Sequence, residues 1–567
     1  MKTDPKTLFF LLAGVCMLVL LPFLGMTFFN TKGEPREAVV ALSMLQSGNW
    51  ILPINNGVDI AYKPPFFHWC IAVFSTLTGH VSEYTSRLPS ALALLAMILV
   101  SYRFYAPRSG KDIAFLTGII TLTNFEIHRA GINCRVDMVL TAFIVLALFQ
   151  FYRWYENRQK GIPWLAILFM SCATLTKGPV GIILPCLVTG VFLLIRGARF
   201  WHTAFSLAGL ALLSCILPAL WYIAAYQAGG DTFLSLVMEE NFGRFLGKMS
   251  YESHENPWYY NVMTVLAGFT PYTLLALFSL FFLSYRKPQA IAFRGMWQRI
   301  KNLIKQTDDV RLFSFLCISL IFIFYCIPKS KRSVYLMPIY PFIAYFLAYY
   351  ILWLIRKAPK ALTLFRYTLC TISILILCTL GAVRLGWVPD SFFQGKHAAE
   401  NIAYMNALKT MPIDILTGTL ITISLLLAIG SLTYSRLKNI YGSIAVIISL
   451  FLSLDGVYQP AILNTKSDKI IAEEIKDIVP DGKIYSYVSV GMMHYFTINF
   501  YNNDRIGVFD QPGMPATGYL LVGENDFRIL EEPYRTQYRF TDLYSSRKRS
   551  CDTKDIVHLY AFEAIRR

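Results

Sequence analysis

Glu34, Arg36 and Glu37 lie within four residues of one another in GEPREAVV, and Lys63 follows in AYKPP, all just after the first long apolar run of the chain. A carboxylate at such a place can orient or deprotonate a hydroxyl, while an arginine and a lysine can grip a phosphate and offset the charge it gathers as a leaving group. Four further segments carry side chains of the same kind: EIHRAGINCRVDM with Arg129, Arg135 and Asp137; LTKGPVG with Lys177; HENPWYY with His254 and Glu255; and PKSKRSVYLMPIYP with Lys329, Lys331, Arg332 and Tyr335. Each has a plainer alternative. Glu34 precedes Pro35, which suits the first turn of a helix ending near Gly48, so its carboxylate serves equally well as a cap. Asp137 has Arg129 and Arg135 nearby as pairing partners. Lys177 sits in a Gly-Pro turn, and Trp258, Tyr259 and Tyr260 read as an interfacial aromatic belt beside His254. The segment from Pro328 to Pro341, with three cations and three prolines, is the one most like a phosphate clamp.

Segments so far apart must be gathered by membrane helices. Of the 567 residues 55% are hydrophobic and only 15% charged, and the mean hydropathy of +0.47 excludes a soluble domain of this size. Apolar runs predict thirteen spans, at 8–29, 86–105, 113–128, 138–155, 163–176, 179–195, 203–226, 258–284, 311–328, 334–355, 362–386, 414–434 and 440–459. With a cytoplasmic amino terminus, the loops holding Arg103/Arg108/Lys111, Arg153/Arg158/Lys160, Arg196/Arg199, Arg286 through Lys305, Arg356/Lys357/Lys360 and Arg436/Lys438 all fall inside, as the positive-inside rule requires. The apolar stretch 66–77 would invert every later loop if it spanned, so it reads as an interfacial or re-entrant helix. Arg36, Lys63, Arg129, Arg135, Lys177, Arg244, Lys248, Lys329, Lys331 and Arg332 are then left on the outer side. A phosphate at headgroup level, or contacts with lipid headgroups and acidic loop residues, would account for them. The net charge of +17 is thus read as topology and site, with no nucleic-acid partner.

Beyond Tyr458 the composition changes, and residues 461–567 read as a soluble α/β domain on the outer side. SDKIIAEEIKDIV has helical spacing, while KIYSYVSV, GYLLVG and HLYAFEA read as strands. Covering the site, engaging an acceptor and simple structural capping are all open roles for it. Nearly all of the eleven cysteines lie in apolar runs and none forms a CxxC pair, so no disulfide framework is expected. No Walker or dinucleotide loop occurs, which argues against a nucleotide donor.

The order GEPREA, SGNWILP, Lys63-Pro64, RLPSALALL, a charged RxD loop, LTKGP, HxxPWYY and KRxxYLxPxYP resembles the bacterial glycosyltransferases that take a sugar from undecaprenyl phosphate. These are the aminoarabinose transferases that modify lipid A, with the protein O-mannosyltransferases as more distant relatives. The resemblance covers roughly residues 8–460. It implies an all-α polytopic GT-C membrane domain at 1–460, whose first outer loop (30–85) carries juxtamembrane helices, followed by the α/β domain. It implies carrier-phosphate contacts from Arg36, Lys63, Lys331 and Tyr335 and Asp137 as an essential carboxylate, to which the outer-side segments add Arg332, Lys177 and His254 as candidate binding residues. Gly33 stands where the family has its first aspartate, which leaves Glu34 as the nearest replacement. Some relatives appose a glutamate to the histidine of HxxPWYY at a zinc ion. Tyr62 occupies that glutamate's position, so no metal is expected to be required. The implied activity is transfer of a sugar from a polyprenyl phosphate to a lipid, glycan or protein acceptor on the outer face of the cytoplasmic membrane. A transporter or flippase, or a nonenzymatic binder of such a lipid, is the alternative; the absence of an internal repeat and the gathering of charge at one set of helix ends favour the enzyme.

Overall fold

The computed structural model describes residues 4–243, 255–284, 301–302, 304–434, 439–509 and 514–565. His254, Arg244, Lys248, the loop residues Arg436 and Lys438, and most of the Arg286–Lys305 loop lie outside them.

Apolar composition and end signals together set the membrane helices. Asp4 accepts from the N–H of Lys6 (3.1 Å) and Pro5 fixes the first turn of α1 (Pro5–Leu20). There follow α2 (Pro35–Ser47), α3 (Phe66–Thr78), α4 (Glu83–Ser109), α5 (Lys111–Leu122), α6 (Phe125–Gly131), α7 (Val136–Glu156), α8 (Trp164–Lys177), α9 (Val180–Ile195) and α10 (Phe200–Met238). The second half holds α11 (Tyr260–Gly268), α12 (Tyr272–Leu280), α13 (Asp309–Cys326), α14 (Tyr340–Lys357), α15 (Pro359–Arg384), α16 (Ala398–Thr410), α17 (Ile415–Thr433) and α18 (Ile440–Ser453). Among the described residues eight helices are long and apolar enough to cross a membrane, or nine if the bent pair α11 and α12 is one span, and α1, α3, α8 and α9 are shorter apolar helices. The protein is therefore a multi-pass membrane protein.

Three expected spans differ in detail. Residues 258–284 form two helices bent by 103° instead of one, with Pro271 at the head of the second. The run 8–29 is helical only to Leu20. The run 113–128 breaks after Leu122, where Asn124 turns its side chain onto the N–H of Ile127 (3.0 Å) and starts α6.

The helix α7 is the axis of the assembly: 83% of its apolar window is buried, against 22% for α10, whose apolar side chains face outward. Phe104 of α4 stacks on Phe149 of α7 at 4.2 Å, and Tyr105 stacks on Tyr345 of α14 at the same separation. At one end of this bundle α2 and α3 lie against the start of α7, with Val39, Phe67 and Ile71 packed on Cys134, Val136 and Val139. Gly48, at φ 69°, closes α2 in a conformation that favours glycine. Thus residues 66–77 are a short helix packed beneath the first loop.

The last domain carries five strands, β1 (Ile484–Tyr487), β2 (Ile506–Val508), β3 (Thr517–Gly523), β4 (Tyr538–Arg549) and β5 (Ile556–Ala564), in the order β2-β1-β3-β5-β4. The pairs of β1 with β2 and with β3 are parallel, while β5 runs antiparallel to β3 and β4. This domain docks on the first loop. Asp504 accepts from Ser43 of α2 (2.5 Å) and from the N–H of Asn56 (2.9 Å), Tyr501 donates to Glu83 (2.6 Å), and Phe500 meets Phe29 edge-on at 4.9 Å.

Candidate active site

Glu37, on the first turn of α2, is the anion around which the first loop closes. It is 4% exposed. Its carboxylate takes Lys63 Nζ (2.7 Å) and Arg36 Nη2 (3.2 Å) on one oxygen and His68 Nε2 of α3 (2.9 Å) on the other. Burial works against the charged form, but Lys63, the His68 hydrogen bond and Arg36 outweigh it and hold the carboxyl well below the usual range. Arg36 and Lys63 keep about half and about a third of their side-chain surface open, at 48% and 29%. They are clamped at one side and free at the other, as ligands for a second anion should be. Tyr62 donates to Glu240 (3.3 Å).

A second cluster forms where α7, α8 and the 3-10 turn Ser333–Ile339 meet. Asp137, on the first turn of α7, pairs with Lys177 at the end of α8 and feels Arg332 and Arg135. Its partner is thus Lys177, the cation of the Gly-Pro turn, and neither Arg129 nor Arg135. Lys177 Nζ also lies 4.5 Å from the centre of the Tyr335 ring, which in turn stacks on Tyr325. Arg332 is half-buried beside them. Lys331, expected among the phosphate ligands, is 7% exposed and gives its ammonium to the carbonyls of Pro328 (2.8 Å) and Lys329 (3.5 Å), so it holds its own loop. Tyr62 and Trp69 of the first loop share an apolar cluster with Leu175 of α8, which brings the Lys63 and Lys177 groups to one side of the molecule.

Glu34 has a different place from the one its position suggested. Arg87 of α4 grips it with two hydrogen bonds (2.8 and 2.9 Å), the N–H of Cys134 donates to it (2.8 Å), and it makes no side-chain cap. Burial raises its pKa, but Arg87, the Cys134 N–H and Arg135 bring it below the ordinary value. A carboxylate buried to 3% exposure and held by three hydrogen bonds ties α2 to α4 and to the start of α7, and is committed to that structural role. Arg87 and His68 were not singled out from sequence. Arg87 had a signal, since a lone arginine in the apolar run RLPSALALL demands a buried anion. His68, inside FFHWCIAVF, had none.

The family model for dolichyl-phosphate-mannose-protein mannosyltransferases matches residues 62–222. A protein of Aquifex aeolicus, itself uncharacterised, is 28% identical over 370 residues, which is 64% of this chain and 69% of that one. The undecaprenyl phosphate-alpha-4-amino-4-deoxy-L-arabinose arabinosyl transferase of Shewanella sediminis is 26% identical over 67% of this chain and 66% of its own. The chain thus spans about two thirds of the length of these curated relatives. Among solved structures, ArnT from Cupriavidus metallidurans bound to undecaprenyl phosphate superposes with a TM-score of 0.67 at 19% identity, with 97% of each chain covered. The fold is therefore the one seen in that structure. In sequence the chain is similar to the aminoarabinose transferases and, over residues 62–222, to the protein mannosyltransferases.

Proposed function

We propose that this protein transfers a sugar from a polyprenyl phosphate, undecaprenyl phosphate in kind, to an acceptor at the membrane face that carries the first loop and the C-terminal domain. The observation that carries this reading is the pairing of two half-open cation groups with two buried carboxylates on that face: Arg36 and Lys63 on Glu37, and Lys177 and Arg332 around Asp137. In the reaction an acceptor oxygen attacks the anomeric carbon, the bond from that carbon to the phosphate oxygen breaks, and the electron pair leaves with the carrier phosphate. Arg36, Lys63, Lys177 and Arg332 offset this charge in a site where water screens it poorly. Tyr335 seats Lys177, Lys331 shapes the loop, and His254 completes the binding set. Asp137 is the carboxylate for orienting the acceptor or taking its proton, since Glu34 is committed to Arg87. Thirteen spans, a cytoplasmic amino terminus and no required metal complete the proposal, which places the reaction on the outer face of the cytoplasmic membrane. Transfer of labelled sugar from a polyprenyl-phosphate donor should fall at least about a hundredfold in Asp137→Asn and in Lys63→Ala. Lipid binding without any transfer by the native protein would instead mark it as a carrier-lipid binder.

A further inference from the structure

A cavity of about 190 Å³ lies apart from both cation groups, between the end of α1, α6 and the π-turn Leu454–Tyr458 that continues α18. Its wall includes Asn30, Glu34, Arg87, Arg129, Arg135 and Asp455. The charges in this wall do not balance locally. Glu34 is held by Arg87, whose Nη1 donates to the carbonyls of Leu24 (2.7 Å) and Thr27 (2.6 Å). Asp455 is bonded by His128 (2.6 Å) and Gln459 (2.8 Å). Arg129 reaches Glu126 through one nitrogen (3.0 Å to each oxygen), and its Nε is buried without a partner. Arg135 is left over: among the described residues its half-buried guanidinium makes no hydrogen bond or ion pair, and it feels Glu34 and Asp137 only at longer range.

Its position depends on Gly33. A Cβ there would lie 2.6 Å from Arg135 Nη2 and 3.0 Å from its Cζ. A side chain at 33 would push the guanidinium aside, and a carboxylate there would neutralise it. The glycine thus keeps a planar, permanently charged donor set uncommitted at the cavity wall, and such a group is costly to hold half-buried unless an anion joins it.

We propose that this cavity is a second anion site, separate from the carrier-phosphate cluster, in which Arg135 with Arg129 binds a phosphate group, either of a lipid headgroup or free. The inference stands beside the transfer proposal, and its test uses no sugar donor, so either can fail alone. Binding of inorganic phosphate and of dodecyl phosphate is measured by titration calorimetry on the full chain in nanodiscs of phosphatidylcholine. Two classes of site are expected with dodecyl phosphate, one lost in Lys63→Ala and the other weakened about tenfold or more in Arg135→Ala. Gly33→Asp should abolish that second class with Arg135 still present, and Arg135→Lys should keep part of it; retained donor-site binding in each variant shows that the chain is folded. Equal binding of inorganic phosphate at the second site assigns it to the free anion, and preference for dodecyl phosphate assigns it to a lipid headgroup. A single, Lys63-dependent class in the native protein, or a second class indifferent to both Arg135→Ala and Gly33→Asp, would overturn the inference.

Discussion

At the scale of single residues, two acidic neighbours three positions apart have opposite duties. Glu37 faces Arg36 and Lys63, whose outer surfaces stay open, while Glu34 is sealed against Arg87. Glu34→Gln should therefore act first on stability: it leaves Arg87, at 3% exposure, a buried and uncompensated charge, at a cost of about 3–5 kcal/mol. A lower thermal midpoint that is partly restored in the double variant Glu34→Gln/Arg87→Met would identify the pair as structural, and a loss of turnover at unchanged stability would speak for a base. Lys63 makes the second prediction. Burial first, then the adjacent Arg36, pull its pKa below the ordinary lysine value, with Glu37 opposing. A lysine so depressed is charged below its own lowered pKa and neutral above it, so the grip on the donor phosphate is present at low pH and lost as pH rises through that lowered pKa. The donor KM should accordingly climb on the alkaline side before an ordinary lysine would titrate, and in Lys63→Arg the climb should move to higher pH.

Elements were legible where one rule governed them. Long apolar runs and capping residues foretold most of the membrane helices, and topology alone kept 66–77 from being read as a span; it is the short helix α3. The 103° bend between α11 and α12 was not legible, because the run 258–284 is apolar throughout and a proline at a helix start looks the same whether the axis turns or not. In the last domain KIYSYVSV, GYLLVG and HLYAFEA declared themselves by alternation, whereas the three-residue β2 is too short to show any period, and β4, rich in arginine and serine, is held as an edge strand by pairing with β5. The site was legible as a set of segments and not as partnerships. Asp137 and Lys177 are forty residues apart, on α7 and α8, and only the packing of the two helices could pair them.

Across the whole molecule, the C-terminal domain is held to the membrane part through the loop that bears Arg36 and Lys63. Asp504 is the centre of that contact, joined to Ser43 of α2, to the N–H of Asn56 and to Asn499. Asp504→Ala leaves these donors short of a partner, at about 1–3 kcal/mol for each buried group left unsatisfied. The expected outcome is faster proteolytic cleavage near 464–468, where the chain passes into the domain, together with a weaker hold on the donor as the first loop loosens. Unchanged proteolysis and unchanged donor affinity would mean that the apolar contact of Phe500 with Phe29 suffices.

The surplus of positive charge has a kinetic consequence. Arg36, Lys63, Lys177 and Arg332 outnumber Glu37, Asp137 and Glu240 on the proposed carrier side of the site. A loaded carrier is a phosphodiester with one negative charge; the spent carrier is a monoester that approaches two near neutral pH. A site tuned to steady the departing phosphate would hold the spent lipid more tightly than the fresh one, so that turnover waits on its departure. A rapid first round of transfer followed by a slower steady rate, which added salt accelerates by screening the pocket, is the expected time course.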